Sequence, residues 1–266
     1  MSNQKPLFLL FFLSAPLAIP LLAQYNETIR SGRPGISIGP YTVGKNVFQI
    51  QTGLILGGAQ PEDEADGETS LIAESTVIRF GLTRTLEVST AFTFSRDKTE
   101  NASGETTRSG LSQADVGFRV DLYEGQGIVP TVGFQSRLKL DILSKDYDPA
   151  HLGIVCLFIT TQKLTQQLSL TTNWGAVWNG NDPDPRGLYI LNLSFPIAGN
   201  LGGFVENYGS VKSSNFDTRF DGGLAYLVNN DLQLDISGGY GKNDGVSDYF
   251  IDAGVSWRFI VAKNRP

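Results

Sequence analysis

The chain has 266 residues, 27 acids against 21 lysines and arginines, one cysteine and one histidine. A net charge of −6 argues against a nucleic-acid partner, because the phosphate backbone is bound by clustered cations. Cys156 alone gives neither an internal disulfide framework nor a cysteine-built metal site, and the sequence implies no metal or cofactor.

The first element is a leader. "MSNQKPLFLLFFLSAPLAIPLLAQ" carries Lys5, then an apolar run from Leu7 to Ala23 broken by Pro16 and Pro20. This is the layout of a cleavable secretory signal over residues 1–23, and it predicts an exported protein. Residues 24–46 follow as an N-terminal segment. Its part "SGRPGISIGPYTVGKN" is too rich in proline and glycine for a helix or a regular strand. Two readings stand for it: a linker into the first strand, which is the simpler, or a plug folded under a lumen.

From Asn46 onward, apolar and polar residues alternate, the signature of a half-buried strand. Phe48, Ile50, Leu54 and Leu56 alternate with Gln49, Gln51 and Gly53. Over 71–82 the pattern sets Ile78, Phe80 and Leu82 against Ser75 and Arg79. Runs 85–95, 112–123 and 128–140 put Glu87, Asp115, Arg119, Asp121, Arg137 and Lys139 on the polar parity. Run 151–161 is apolar on both parities, so its facing is unreadable. Runs 167–178 and 187–196 alternate again. Run 201–209 is ambiguous, since Glu206 shares a parity with Phe204 and Tyr208. Runs 216–228, 231–241 and 249–259 place Asp217, Arg219, Asp221, Asp235, Asp252 and Arg258 on the polar parity.

These runs make twelve strands. The stretches between them alternate polar and long, such as "RDKTENASGETTRSG", with short ones such as "TR" and "NND". Long loops at one end and tight turns at the other are the layout of an outer-membrane barrel, whose strands need about ten residues to cross. The fold expected is therefore all-β: a transmembrane, up-and-down antiparallel barrel over 47–260 with both termini periplasmic and a tail at 261–266. In such a barrel the oily parity meets lipid and the polar parity lines the lumen. Trp257 and Phe259 suit an aromatic girdle. Inward glycines such as Gly53, Gly117, Gly133, Gly175 and Gly223 favour open space, and the long charged side chains oppose it.

Several stretches resemble a known family. They are "RPGISIGPYTVGKNVFQIQTG" (33–53), "VIRFGLTRTLEVS" (77–89), "GFQSRLKL" (133–140), "LSLTTNWG" (168–175), "NLSFPI" (192–197), "FVENYG" (204–209) and "FDTRFDGGLAYLVNNDLQLDISGGYG" (216–241). They are similar to the family of outer-membrane transporters tied to the MetA pathway of phenol degradation. The resemblance implies a Gram-negative outer-membrane barrel and says little about the solute.

The expected function is passive passage of a small solute, aromatic or organic-acid in character, through a polar lumen. The lumen-lining candidates are Glu87, Asp115, Arg119, Asp121, Arg137, Lys139, Asp217, Arg219, Asp221, Asp235, Asp252 and Arg258. Asp217, Arg219 and Asp221 stack on one strand face, as a selectivity wall or as a salt-bridged prop. The alternative is a structural or surface-interaction barrel with a closed lumen. Third comes a lipid-modifying enzyme built on His151 with Ser136 or Ser144, which lack any nucleophile motif. The expected partners are outer-membrane lipid and lipopolysaccharide, the barrel-assembly machinery, and a small solute.

Overall fold

The structure is a computed structural model that describes residues 28–62, 67–149, 151–213, 215–243 and 246–261; the expected signal sequence over 1–23 and most of the expected tail at 261–266 lie outside them. Twelve strands form one closed barrel, each hydrogen-bonded to its sequence neighbours. They are β1 (Val47–Pro61), β2 (Glu68–Gly81), β3 (Leu86–Asn101), β4 (Gly104–Tyr123), β5 (Thr131–Lys139), β6 (Gly153–Lys163), β7 (Ser169–Trp178), β8 (Arg186–Ala198), β9 (Leu201–Lys212), β10 (Asn215–Asn229), β11 (Leu232–Asn243) and β12 (Val246–Ile260). Closure is antiparallel: β1 runs against β12 from Val47↔Ile260 to Pro61↔Val246. Closure between β1 and β12 leaves the sheet no open edge, the condition for crossing a bilayer with strands.

The expected long loops are in part strands. The segment read as the loop "RDKTENASGETTRSG" continues β3 and β4, which pair out to Asn101↔Gly104. Its residues are polar on both parities, so it carries no amphipathic signal. Water on both faces explains this: the hairpin stands above the membrane. Cross-strand polar contacts hold it, among them Lys98 with Glu105 at 3.0 Å and Thr69 with Thr99 at 2.8 Å. The loop after β5 leans on this hairpin. There the Tyr147 hydroxyl donates to Asp97 at 3.0 Å, and burial together with that bond pushes its phenol up to about 12.

The outer wall is apolar and the inner wall polar. Leu54, Ile72, Phe94, Phe158, Phe220, Leu234, Ile236 and Ile251 are exposed on the outside. Between them in sequence, Gln49, Gln51, Arg79, Gln135, Asn173, Gln233 and Ser256 are buried. The two unreadable strands resolve. β6 turns Leu157 and Ile159 inward and Phe158 outward, while β9 turns Phe204 and Glu206 inward and Val205 outward. An aromatic band marks the tight-turn end of the wall: Phe48 lies 6.5 Å from Phe80 and 5.2 Å from Phe259, and Phe259 lies 4.8 Å from Trp257. One polar cluster breaks the outer face. Glu74 accepts from Thr52 at 2.7 Å and from Thr76 at 2.5 Å, between the exposed Leu54 and Phe94 of the neighbouring strands.

Candidate functional site: the plugged lumen

Residues 28–46 do not lead into β1 as a linker; they fold inside the barrel. Their prolines and glycines forbid regular structure, so their backbone groups must find partners elsewhere. The lumen supplies these partners around most of its circumference. On one side Gln233 donates to the Arg33 carbonyl at 2.8 Å. Glu206 then takes the amides of Ile36 and Ser37 at 2.8 and 2.9 Å. Asn173 pairs with Ile38 through both its groups, each at 2.9 Å. On the far side Arg119 donates to the carbonyls of Gly39 and Tyr41 at 3.1 and 3.3 Å. Arg79 donates to Arg30 and Tyr41 carbonyls at 2.9 and 3.0 Å, and Glu87 accepts the Val43 amide at 2.8 Å.

The two lumen walls have opposite character, and the plug matches both. Across β2–β5 the inward charges are Arg79, Arg119, Arg137 and Lys139 against Glu87, Asp115 and Asp121. Across β9–β12 they are chiefly acids: Glu206, Asp217, Asp221, Asp235, Asp248 and Asp252, with Arg219 and, at the rim, Arg258. The plug turns carbonyls towards the cationic wall. Towards the acidic wall it turns amides and the guanidinium of Arg33, which reaches Asp235 at 3.1 Å and Asp252 at 2.7 Å.

The residues singled out from the sequence fall into separate groups. Glu87 is gripped by Arg79 at 2.8 Å and lies 3.7 Å from Arg119. Arg119 also bonds Gln135 at 2.8 Å. Asp115 accepts from Gln113 at 2.6 Å. Arg137 and Asp121 are half-buried, and Lys139 lines a cavity at the outer mouth. The expected charge stack on β10 does not form as one network. Asp217 pairs with Arg186 at 2.8 Å, while Arg219 reaches across to Asp248 of β12 through three contacts of 2.5–3.0 Å. Asp221 is buried beside Glu206, with neither oxygen hydrogen-bonded. Arg258 bonds Asp231 at the tight-turn end at 2.8 Å.

Sequence reasoning missed Arg33, Arg79, Asn173, Glu206 and Asp248. Arg79 and Asn173 sat on the polar parity and were readable. Glu206 was hidden by its aromatic neighbours, and Arg33 lay in an irregular segment. Part of the expected open space is taken by the plug: Arg33 lies against Gly53, and Pro40 against Gly133.

Cavities remain on both sides. On the tight-turn side is one of about 560 Å³, reaching Arg33, Ser37 and Tyr41 of the plug. On the far side are two of about 400 and 430 Å³ that share Arg219. The first of these has Ile36 of the plug, Ile55, Leu71 and Phe250 as apolar lining, with Thr69, Asp97, Tyr208, Arg219, Asp248 and Asp252 as its polar groups. Plug residues 33–37 stand between the chambers.

A closed barrel with an oily outside, a charged inside and a segment of its own chain in the lumen defines the class: a plugged barrel of the outer-membrane type. Its barrel fold is shared, at low identity, with solved outer-membrane proteins. The COG4313 outer membrane channel from Pseudomonas putida F1 superposes with a TM-score of 0.67 at 12% identity, over 86% of this chain and 100% of that one. The transport unit of the autotransporter AIDA-I from Escherichia coli gives 0.57 at 12%, over 81% and 91%. The translocator domain of the autotransporter NalP from Neisseria meningitidis gives 0.55 at 13%, over 81% and 89%. A search of curated sequences finds no match. The chain belongs to the family described as "Putative MetA-pathway of phenol degradation", whose profile matches residues 31–259, plug included.

Proposed function

We propose that the protein is an outer-membrane channel for passive diffusion of small organic solutes, held closed in this structure by residues 28–46. The observation that carries this reading is the pair of chambers separated by a segment bound through hydrogen bonds and one paired cation. A neutral bond of this kind contributes about 0.5–1.5 kcal/mol net and one to a charged group about 1.5–3 kcal/mol; these are polar contacts that water can replace, so the plug can exchange its partners for water without unfolding the barrel. The far-side cavity of about 400 Å³ has apolar walls and a few convergent polar groups, the usual make-up of a small-molecule site. It suits a small ring bearing a hydroxyl or carboxylate, in keeping with the family's phenol-pathway description. The leader would deliver the chain to the outer membrane, where the assembly machinery inserts it among lipid and lipopolysaccharide.

The test is ion conductance of the refolded protein in a planar bilayer, full chain against a form lacking residues 24–43. Deletion should raise conductance severalfold, and equal conductance would refute the channel. The second reading, a closed structural barrel, is favoured by the buried Arg79–Glu87–Arg119 cluster, which grips both plug and wall. It predicts no conductance from either form. The lipid-modifying enzyme has less behind it. Ser136 faces Cys156 at 3.6 Å, Ser144 Oγ accepts the Leu111 amide at 2.8 Å, and neither serine is hydrogen-bonded to His151.

A further inference from the structure

The place where Arg33 docks is built for its guanidinium. Gly53 of β1 and Gly254 of β12 are directly paired across the closing ladder. A Cβ on either would run into the Arg33 guanidinium, so the two glycines together open a slot in an otherwise side-chain-lined wall. Two acids flank it. Asp235 accepts Nε at 3.2 Å and Asp252 accepts Nη2 at 2.7 Å. Both acids are buried, 8% and 9% exposed. Gln233 holds the second oxygen of Asp235 at 3.3 Å while donating to the Arg33 carbonyl. A planar fork of N–H donors fits this arrangement, and a compact ammonium would not span both acids.

Two buried carboxylates with one cation between them carry an excess negative charge. When the plug leaves, both lose their cation to water but keep their negative charge, and the lumen wall focuses its field on the slot. The slot therefore has a standing demand for a cation of that shape. We propose that the Gly53–Gly254–Asp235–Asp252 slot is a guanidinium-binding site of the lumen, occupied by Arg33 when the channel is closed and by a guanidinium-bearing solute when it is open. This rests on the plug being the closure and adds the latch and its chemistry. Arg33 is tethered and its segment is also held by Glu206, Asn173 and Arg119, so free guanidinium competes poorly with it in the intact chain.

The experiment uses the refolded full chain in a planar bilayer with tetramethylammonium chloride as electrolyte, which carries charge but no N–H. Agmatine is the probe, and heat-modifiable gel mobility confirms folding. Arg33→Ala should raise conductance, and millimolar agmatine should then block that current. Adding Asp252→Asn should weaken the block about tenfold or more, the worth of one charge-assisted bond. The wild-type current should be insensitive to the same agmatine. If Arg33→Ala does not fold, Arg33→Lys supplies the comparison, with the ammonium reaching one acid only. A block of equal strength with and without Asp252→Asn overturns the site. If Arg33→Ala conducts like the wild type while deletion of 24–43 conducts more, the latch is refuted and the channel stands. If the deletion also conducts like the wild type, the channel reading itself has failed.

Discussion

Glu206→Gln is the sharpest probe of the closure. Glu206 is 2% exposed and accepts three hydrogen bonds: Ile36 N at 2.8 Å, Ser37 N at 2.9 Å and Asn192 Nδ2 at 3.0 Å. A glutamine keeps the shape but offers one oxygen, so one plug amide must face an NH2 group. Losing one bond to a charged acceptor costs about 1.5–3 kcal/mol. Part of this is offset, because the adjacent Asp221 loses a like-charged cross-strand neighbour, worth about 0.2–1 kcal/mol. The net penalty on the docked plug is about 0.5–2.8 kcal/mol, a rise of about 2- to 100-fold in the undocked population. Single-channel open probability reads this directly. Asp221→Asn supplies the opposite arm. It removes the same repulsion without touching a plug bond, since neither Asp221 oxygen is hydrogen-bonded, so open probability should fall. A Glu206→Gln channel that opens no more than wild type would refute the clamp. So would Asp221→Asn opening the channel as much.

Leu234 is exposed on the outer wall, so Leu234→Arg should cost about 2–4 kcal/mol of stability on folding into a bilayer; an unchanged stability would put that face off the lipid. Glu74→Leu should do the reverse and stabilise the barrel by about 1 kcal/mol in the same assay, because it removes a carboxyl from the lipid-facing wall; destabilisation would mean that the Thr52–Glu74–Thr76 cluster is structural. Arg219→Ser should leave gel mobility and its heat shift intact, since the Arg219–Asp248 pair is part-exposed, 23% and 32%. With Asp248 unpaired at the outer mouth, the reversal potential of the open channel should move towards cation preference; loss of the folded form instead would show the pair to be structural.

The barrel was legible because its rule is repeated twelve times. Period-two alternation needs no knowledge of partners, so each strand announces itself, and even β6 and β9 failed only in facing. β6 faces apolar residues on both sides because Leu157 and Ile159 pack inside the lumen. β9 blurs because Phe204 and Glu206 share the inner wall. The β3–β4 extension was unreadable for a related reason: a strand with water on both faces has no alternation to show. Glu87, Asp115, Arg119, Asp217, Asp221, Asp235, Asp252 and Arg258 are buried, but their partners were not foreseeable. Arg219 could bond along β10 or across to Asp248, and one sequence cannot choose between a neighbour two residues away and one on another strand.

The plug illustrates a deeper limit. It is recognised mainly through its backbone amides and carbonyls, which every residue possesses, so its sequence need not encode most of its contacts. What the sequence did encode is the receiving surface. Glycines in strand interiors weaken strands and call for a reason such as the close approach of another backbone. Gly53 and Gly254 on the closing pair, and Gly133 on β5, have that reason in Arg33 and Pro40. Gly53 and Gly133, read from sequence alone as open space, mark where the chain's own segment lies. Inward glycine opposite acid or arginine in a barrel is thus better taken as a docking surface, and the proline- and glycine-rich segment before the first strand as its first candidate occupant.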